Sequence, residues 1–348
     1  MENTIATTGS KQPAHPGSFT YPIDSSPAAK RAYRNRSIGN LLRMGHCAPT
    51  VMQTVLDSAH IEQEWLVKLT AGMPGGIANT GFECGGVTSP LVLLGLRYGL
   101  DHAVQGLPLI FYKGCDLCNR FSNCHKTLMC GEIRGKDRLP LRCIPVIRHS
   151  PELLVEATAS DSTGAIPEVK REAYGRLYAH LAEKRFHCSQ QVLKNLDGML
   201  PVSQELLDAT SGFLGGTLFL GRTCSAFTAG VMAVGLKTGE IENSPPRVIR
   251  MIAMMAFGGN ALGDSINKFN KPMNTGYRIS RWFRKEFGST QCQEITQCDF
   301  SSTDGVGKYV ESGCVTRCRT IAEKVAERVQ KALKSGGGRA SPPMGPRG

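Results

Sequence analysis

The sequence predicts an all-α fold built from two tandem homologous helical units packed with approximate twofold symmetry. A glycine and cysteine run occurs twice: Gly72, Gly75, Gly76, Gly81, Cys84 and Gly95-Leu96-Arg97-Tyr98-Gly99, against Gly212, Gly215, Gly216, Gly221, Cys224 and Gly235-Leu236-Lys237-Thr238-Gly239. Every interval inside the two runs is identical, which marks two copies of one structural unit. The flanking apolar residues recur at helical spacing, as at Ile38, Leu41, Leu42, Val51, Val55 and Leu56. Two such copies are expected to pack as a symmetric dimer does, giving a pseudo-dimeric monomer or a homodimer.

At 348 residues, 41% hydrophobic and 20% charged, the chain has material for two domains with sizeable cores. Residues 1–30 carry Gly, Pro, Ser and Thr without periodicity and read as a flexible N-terminal arm. The first unit is expected over 31–158 and the second over 165–334. The stretch from Pro151 to Gly164 is the expected join, and 335–348 reads as a disordered tail.

The first residues lack a basic start and an apolar stretch, so no export signal is visible and a cytoplasmic location is expected. Arg97, Lys237 and Arg250 interrupt every apolar run short of the ~20 residues a membrane span needs. The net charge of +12 comes from scattered Lys and Arg with no nucleic-acid-binding module, so a solvated basic surface is preferred to nucleic-acid binding.

In chain order, Arg36 to about Ser58 reads as helix around His46-Cys47, with a break or restart near Pro49. Ile61 to about Ala71 is a second helix, and Cys84 sits just ahead of a buried helix over Val87 to Leu96. The second unit opens with a long helical pattern from Pro167 to about Leu196. Ser203 to Thr210 then matches the Ile61 helix, and Cys224 again precedes a buried helix, Phe227 to Leu236. Residues 246–257 are a helix of the longer second copy, with Met251, Ile252, Met254 and Met255 as core filler. Ala261 to Phe287 is a further helix. The last, about Ser312 to Leu333, places Cys314 and Cys318 on one face.

Thirteen cysteines in a chain without an export signal argue for metal, cluster or redox chemistry rather than structural disulfides. They follow the duplication. His46-Cys47 matches His187-Cys188, Cys84 matches Cys224, Cys124 and Cys130 have the spacing of Cys292 and Cys298, and Cys143 matches Cys314. These ten cysteines are the candidate metal ligands. A thiolate at a helix N-terminus gains from unpaired N–H groups and the helix dipole. Gly75, Gly76, Gly81, Gly215, Gly216 and Gly221 permit positive φ and close approach of a backbone or an inorganic cluster, so they are candidate cofactor-binding positions.

Cys115-x2-Cys118 has no counterpart in the second copy and is a candidate redox pair. No Cys-x2-Cys-His occurs, so c-type haem is not expected. The glycine runs lack the Gly-Lys-Ser/Thr ending of a phosphate cradle, and Ser, His and Asp form no recognisable catalytic grouping.

The order Cys188, Gly221-Arg222-Thr223-Cys224-Ser225-Ala226, Gly235-Leu236-Lys237, Gly288-Ser289-Thr290-Gln291-Cys292 and Cys314 resembles the family named for its C_GCAxxG_C_C pattern. The resemblance covers nearly all of 185–320 and returns more weakly over 45–145. It implies a redox-active protein, related to the split-Soret cytochromes but without their haem motif. The family cysteines then fall on Cys188, Cys224, Cys292 and Cys314, and on Cys47, Cys84, Cys124 and Cys143.

The first functional expectation is electron transfer through an iron–sulfur cluster in each unit, with a redox partner protein. The alternatives are metal-free thiol–disulfide exchange, for example at Cys115 and Cys118, and a zinc-binding helical scaffold. In the zinc scaffold, His46, His125 or His187 would complete sets of three cysteines.

Overall fold

Each unit is assembled from short helices that break at the same places. The computed structural model describes residues 24, 26–135, 141–256 and 268–336. The first unit contains α1 (Pro27–Met44), α2 (Cys47–Ala59), α3 (Glu64–Thr70), α4 (Gly85–Tyr98), α5 (Leu109–His125), α6 (Cys130–Arg134) and α7 (Cys143–Ala159). A two-residue antiparallel hairpin, β1 (Ala103–Val104) with β2 (Leu107–Pro108), precedes α5 and is the only sheet among the described residues.

The second unit has α8 (Glu168–Glu183), α9 (Cys188–Lys194), α10 (Gln204–Asp208), a 3-10 turn (Ser211–Phe213) and α11 (Ser225–Thr238). It continues with α12 (Pro245–Ala256), α13 (Lys271–Phe287), α14 (Cys292–Thr296), α15 (Thr303–Glu311) and α16 (Cys314–Gly336). Among the described residues no helix is long and apolar enough to cross a membrane.

Local chemistry sets the boundaries. Ser26 caps α1 by accepting from the Ala29 N–H at 3.2 Å, with Pro27 in the first turn, where its missing N–H costs nothing. Pro27–Lys30, expected in the arm, therefore belong to α1; residues 1–23 lie outside the described set, as do 337–348 of the expected tail and 257–267. The expected break near Pro49 falls at Gly45–His46: Gly45 takes φ 70 and Pro49 joins the first turn of α2. The long pattern from Pro167 divides in the same way, α8 ending ahead of Arg185 at φ 46. Pro151, expected at the join, is instead inside α7.

Helices α4 and α11 are the two hearts of the core: Gly85–Leu96 and Ser225–Gly235 are buried without interruption. Each packs against the other unit, α4 on α10 and α11 on α3. The contacts are reciprocal. A β-carbon on Gly95 would lie 2.4 Å from the Asp208 carbonyl oxygen, and one on Gly235 would lie 2.5 Å from that of Lys68. Gly72 likewise abuts Val231, and Gly212 abuts Leu91.

Residue i meeting j′ while j meets i′ is the signature of a twofold, here internal to one chain. The glycines of the repeated run thus let helices of opposite units touch backbone to backbone. Gly95→Ala and Gly235→Ala are each expected to cost about 2–3 kcal/mol by overpacking this junction. Urea unfolding of both variants checks that the two costs match.

Candidate functional site

Between α3 and α4 the backbone does something rare. Gly75, Gly76, Ile77, Ala78 and Asn79 all have positive φ (72, 79, 47, 59 and 59°), and Gly81 follows at 82°. The second unit repeats the turn at Gly215, Gly216, Thr217, Leu218 and Phe219 (64, 70, 62, 54 and 59°), with Gly221 at 67°. Left-handed backbone costs roughly 1–2 kcal/mol for each non-glycine residue, and a β-branched Ile or Thr is an outlier there. Hydrogen bonds hold it closed: Ala78 N–H donates to Gly72 O at 2.9 Å and Leu218 N–H to Gly212 O at 3.0 Å.

The turn delivers the chain to Cys84 and Cys224, the N-caps of α4 and α11. Each is tied to a distant strand of backbone. Cys84 N–H donates to Leu128 O and Cys224 N–H to Thr290 O, both at 2.8 Å. Cys130 N–H donates to Phe82 O and Cys292 N–H to Arg222 O, both at 2.6 Å. Cys130 therefore holds the position of Cys292. The sequence expectation that Cys124 does so is corrected: Cys124 lies in the last turn of α5 and is exposed.

Cysteines head the helices that meet here. Cys47, Cys130 and Cys143 are the first residues of α2, α6 and α7, as Cys188, Cys292 and Cys314 are of α9, α14 and α16. In the first unit, Cys84 hydrogen-bonds to Cys130, while Cys47 and Cys143 stand within electrostatic range of Cys84. Burial pushes the Cys47 thiol up to about 12; the N–H groups of Gly75 and Ala48 act in the opposite direction, favouring a thiolate. Burial and the neighbouring Cys47 also raise Cys143 to about 12. Gly86 N–H points at the Cys84 sulfur at 3.5 Å.

The second unit gathers more sulfur. Cys188 hydrogen-bonds to Cys318 and faces Cys292 and Cys224. Burial lifts Cys224 to about 12, against the N–H groups of Phe227 and Ala226. Beside this group the Cys298 and Cys314 thiols both donate to the Thr296 carbonyl oxygen, at 3.2 and 3.9 Å. Cys318 is held below the usual thiol range, chiefly by the hydrogen bond from Cys188 and also by one from the Tyr309 hydroxyl, whose oxygen is 3.6 Å from its sulfur. Cys318 thus joins the site from one turn beyond Cys314. Its signal in the sequence was the i, i+4 spacing of the two.

Other candidates lie apart. Cys115 and Cys118 are buried inside α5. Side chains three apart on a helix have β-carbons roughly 5–6 Å from one another. A disulfide needs about 3.5–4.5 Å, so one here requires α5 to unwind. His187 caps α9, its Nδ1 accepting from Gln190 N–H at 3.4 Å. His125 packs against Phe121 with the rings tilted by 52°. Among the described residues no group of three or more His, Cys, Asp or Glu is arranged to hold a metal ion. Three pairs of sulfurs interact instead, Cys84 with Cys130, Cys188 with Cys318 and Cys298 with Cys314.

A family model described as "Putative redox-active protein (C_GCAxxG_C_C)" matches residues 45–157 and 186–332. The chain belongs to the C_GCAxxG_C_C family. Each matched region holds one gathered set of cysteines, so the two C_GCAxxG_C_C copies are also the two structural units. No curated protein and no solved structure matches the chain.

Proposed function

We propose that this protein transfers electrons through an iron–sulfur cluster held in each unit, by Cys47, Cys84, Cys130 and Cys143 in the first and by Cys188, Cys224, Cys292 and Cys318 in the second. The observation that carries this reading is the gathering of cysteines at helix N-termini, or one turn inside for Cys318, at one buried place per unit, with backbone N–H groups turned toward Cys47, Cys84 and Cys224. The donor set fits: thiolates are the ligands of such clusters, and N–H donors and burial tune their potential.

When bound, a cluster would supply one-electron chemistry. The chain's own residues would hold it, exclude water, and give up the thiol protons that burial retains in the metal-free state. The glycine turns bring Gly75 N–H to Cys47 and bind the two halves of each site through Phe82 and Arg222. A redox partner protein would deliver or collect the electrons.

The interacting sulfur pairs Cys84–Cys130, Cys188–Cys318 and Cys298–Cys314 favour a second reading, metal-free thiol–disulfide exchange. Anaerobic purification with iron, sulfide and zinc assays separates the two. Visible absorption that bleaches with dithionite, with Cys84→Ser and Cys224→Ser each removing about half the iron, is the expected result. Iron-free protein whose thiol count rises on reduction supports the exchange reading, and stoichiometric zinc with a featureless spectrum supports a scaffold; either overturns the proposal.

A further inference from the structure

The two sites differ in what lies above their sulfurs. In the second unit, Tyr309 on α15 is 3% exposed, wedged between Phe300 and His180, with its phenol oxygen 3.6 Å from the Cys318 sulfur. Cys188 and Cys292 also face it. In the first unit Cys47 and Cys130, the counterparts of Cys188 and Cys292, instead line a cavity of about 380 Å³ together with Cys143. Its walls are mostly aliphatic, with Leu41 from α1, Ile147 from α7 and Met251 and Ile252 from α12; Asn79 of the left-handed turn, His46 and Arg134 are its polar members. The roof, α12, belongs to the second unit and is fastened over the first: Asn243 N–H donates to Arg43 O at 2.9 Å, and a β-carbon on Gly45 would touch Val248 at 3.2 Å.

Unit two therefore carries, as part of its own chain, a six-membered ring with an oxygen aimed at sulfur. Unit one keeps an apolar chamber over the equivalent sulfurs, of the size small ligands use. The mouth is edged by Leu42, Leu141 and Ile252, which are 63%, 62% and 44% exposed. We propose that this chamber binds a quinone-type ring, seated as Tyr309 is in the other unit with one ring oxygen toward the cysteine end of the chamber. Largely aliphatic walls suit an uncharged, mainly apolar ring better than a highly charged ligand. The electron-transfer reading gives this ligand its purpose, but its binding requires only the chamber.

The test is equilibrium dialysis of the full chain against duroquinone, whose fully methylated ring has no open position for thiol addition. The protein is used both as isolated and after chelation. One equivalent per chain is expected, with Ile252→Trp weakening binding at least tenfold. Ile249→Trp, at a 66% exposed position on the same helix outside the chamber, should bind as the parent does. Tetramethylbenzene, which has the same shape without the oxygens, should bind at least tenfold more weakly.

No binding, equal binding of tetramethylbenzene, or indifference to Ile252→Trp overturns the proposal. Iron-loaded protein that ignores duroquinone sinks this inference alone. Protein that is iron-free as isolated and still binds it supports this inference while removing the electron-transfer reading.

Discussion

Gly216→Ala is expected to cost about 3–5 kcal/mol, a large part of the ~5–15 kcal/mol that holds a domain folded, and to strip the second unit's site. Two penalties combine. The residue has φ 70°, where any side chain is strained by roughly 1–2 kcal/mol. Its β-carbon would also sit 2.6 Å from both the Arg222 carbonyl oxygen and the Cys292 β-carbon, atoms with no free rotamer to yield. Arg222 O accepts the N–H of Cys292, so the same push parts Cys292 from Cys188 and Cys224.

Gly76→Ala should behave alike in the first unit, its β-carbon falling 2.5 Å from Phe82 N. Gly198→Ala separates the causes: φ is 84° there with no atom within 4 Å, so only the backbone strain of about 1 kcal/mol is expected. Urea midpoints and iron content of the three variants check the ranking.

These glycines were legible because a twofold contact and a left-handed turn both demand the same residue at the same place in each copy, and the equal intervals of the two runs record that demand. The left-handed residues between them were not. Ile77 and Thr217 are β-branched, and local preference places such residues far from positive φ. Only the surrounding hydrogen bonds, such as Ala78 to Gly72, impose the conformation.

The cysteine pairing failed for a related reason. Cys124 and Cys130 share their spacing with Cys292 and Cys298, yet the match is decided by which backbone pairs with Phe82 and Arg222. Spacing does not encode that long-range contact. The shape of the all-α fold, the two units and the helix-leading Cys84 and Cys224 follow from local pattern. Cys318 sits one turn into α16, where Tyr309 of α15 meets its sulfur, and repeat spacing alone does not encode that contact.

Glu83→Leu is the second large effect, expected at about 3–5 kcal/mol. Glu83 has no exposed surface and accepts from Thr217 Oγ1 at 2.9 Å, from Thr223 N–H at 3.1 Å and from the Thr223 hydroxyl. Leucine would leave two hydroxyls and an N–H buried without an acceptor, each costing about 1–3 kcal/mol where no water replaces it. By the spacing of the repeat, Thr223 is the counterpart of Glu83 itself, so the pair lies on the internal twofold, where a residue meets its own copy.

Two carboxyl groups facing each other there would force one to keep its proton. A carboxyl opposite a hydroxyl avoids this, and Thr217 adds a second donor where the first unit has Ile77. Thr223→Glu is therefore expected to destabilise at least as much as Glu83→Leu, and Glu83→Gln, which keeps one acceptor oxygen, to cost less than either. Cys84 and Cys224 directly follow Glu83 and Thr223, so loosening this anchor should lower iron content in both units together. Cys84→Ser should empty only one, and iron counts on the variants with their urea midpoints distinguish a shared anchor from an ordinary core position.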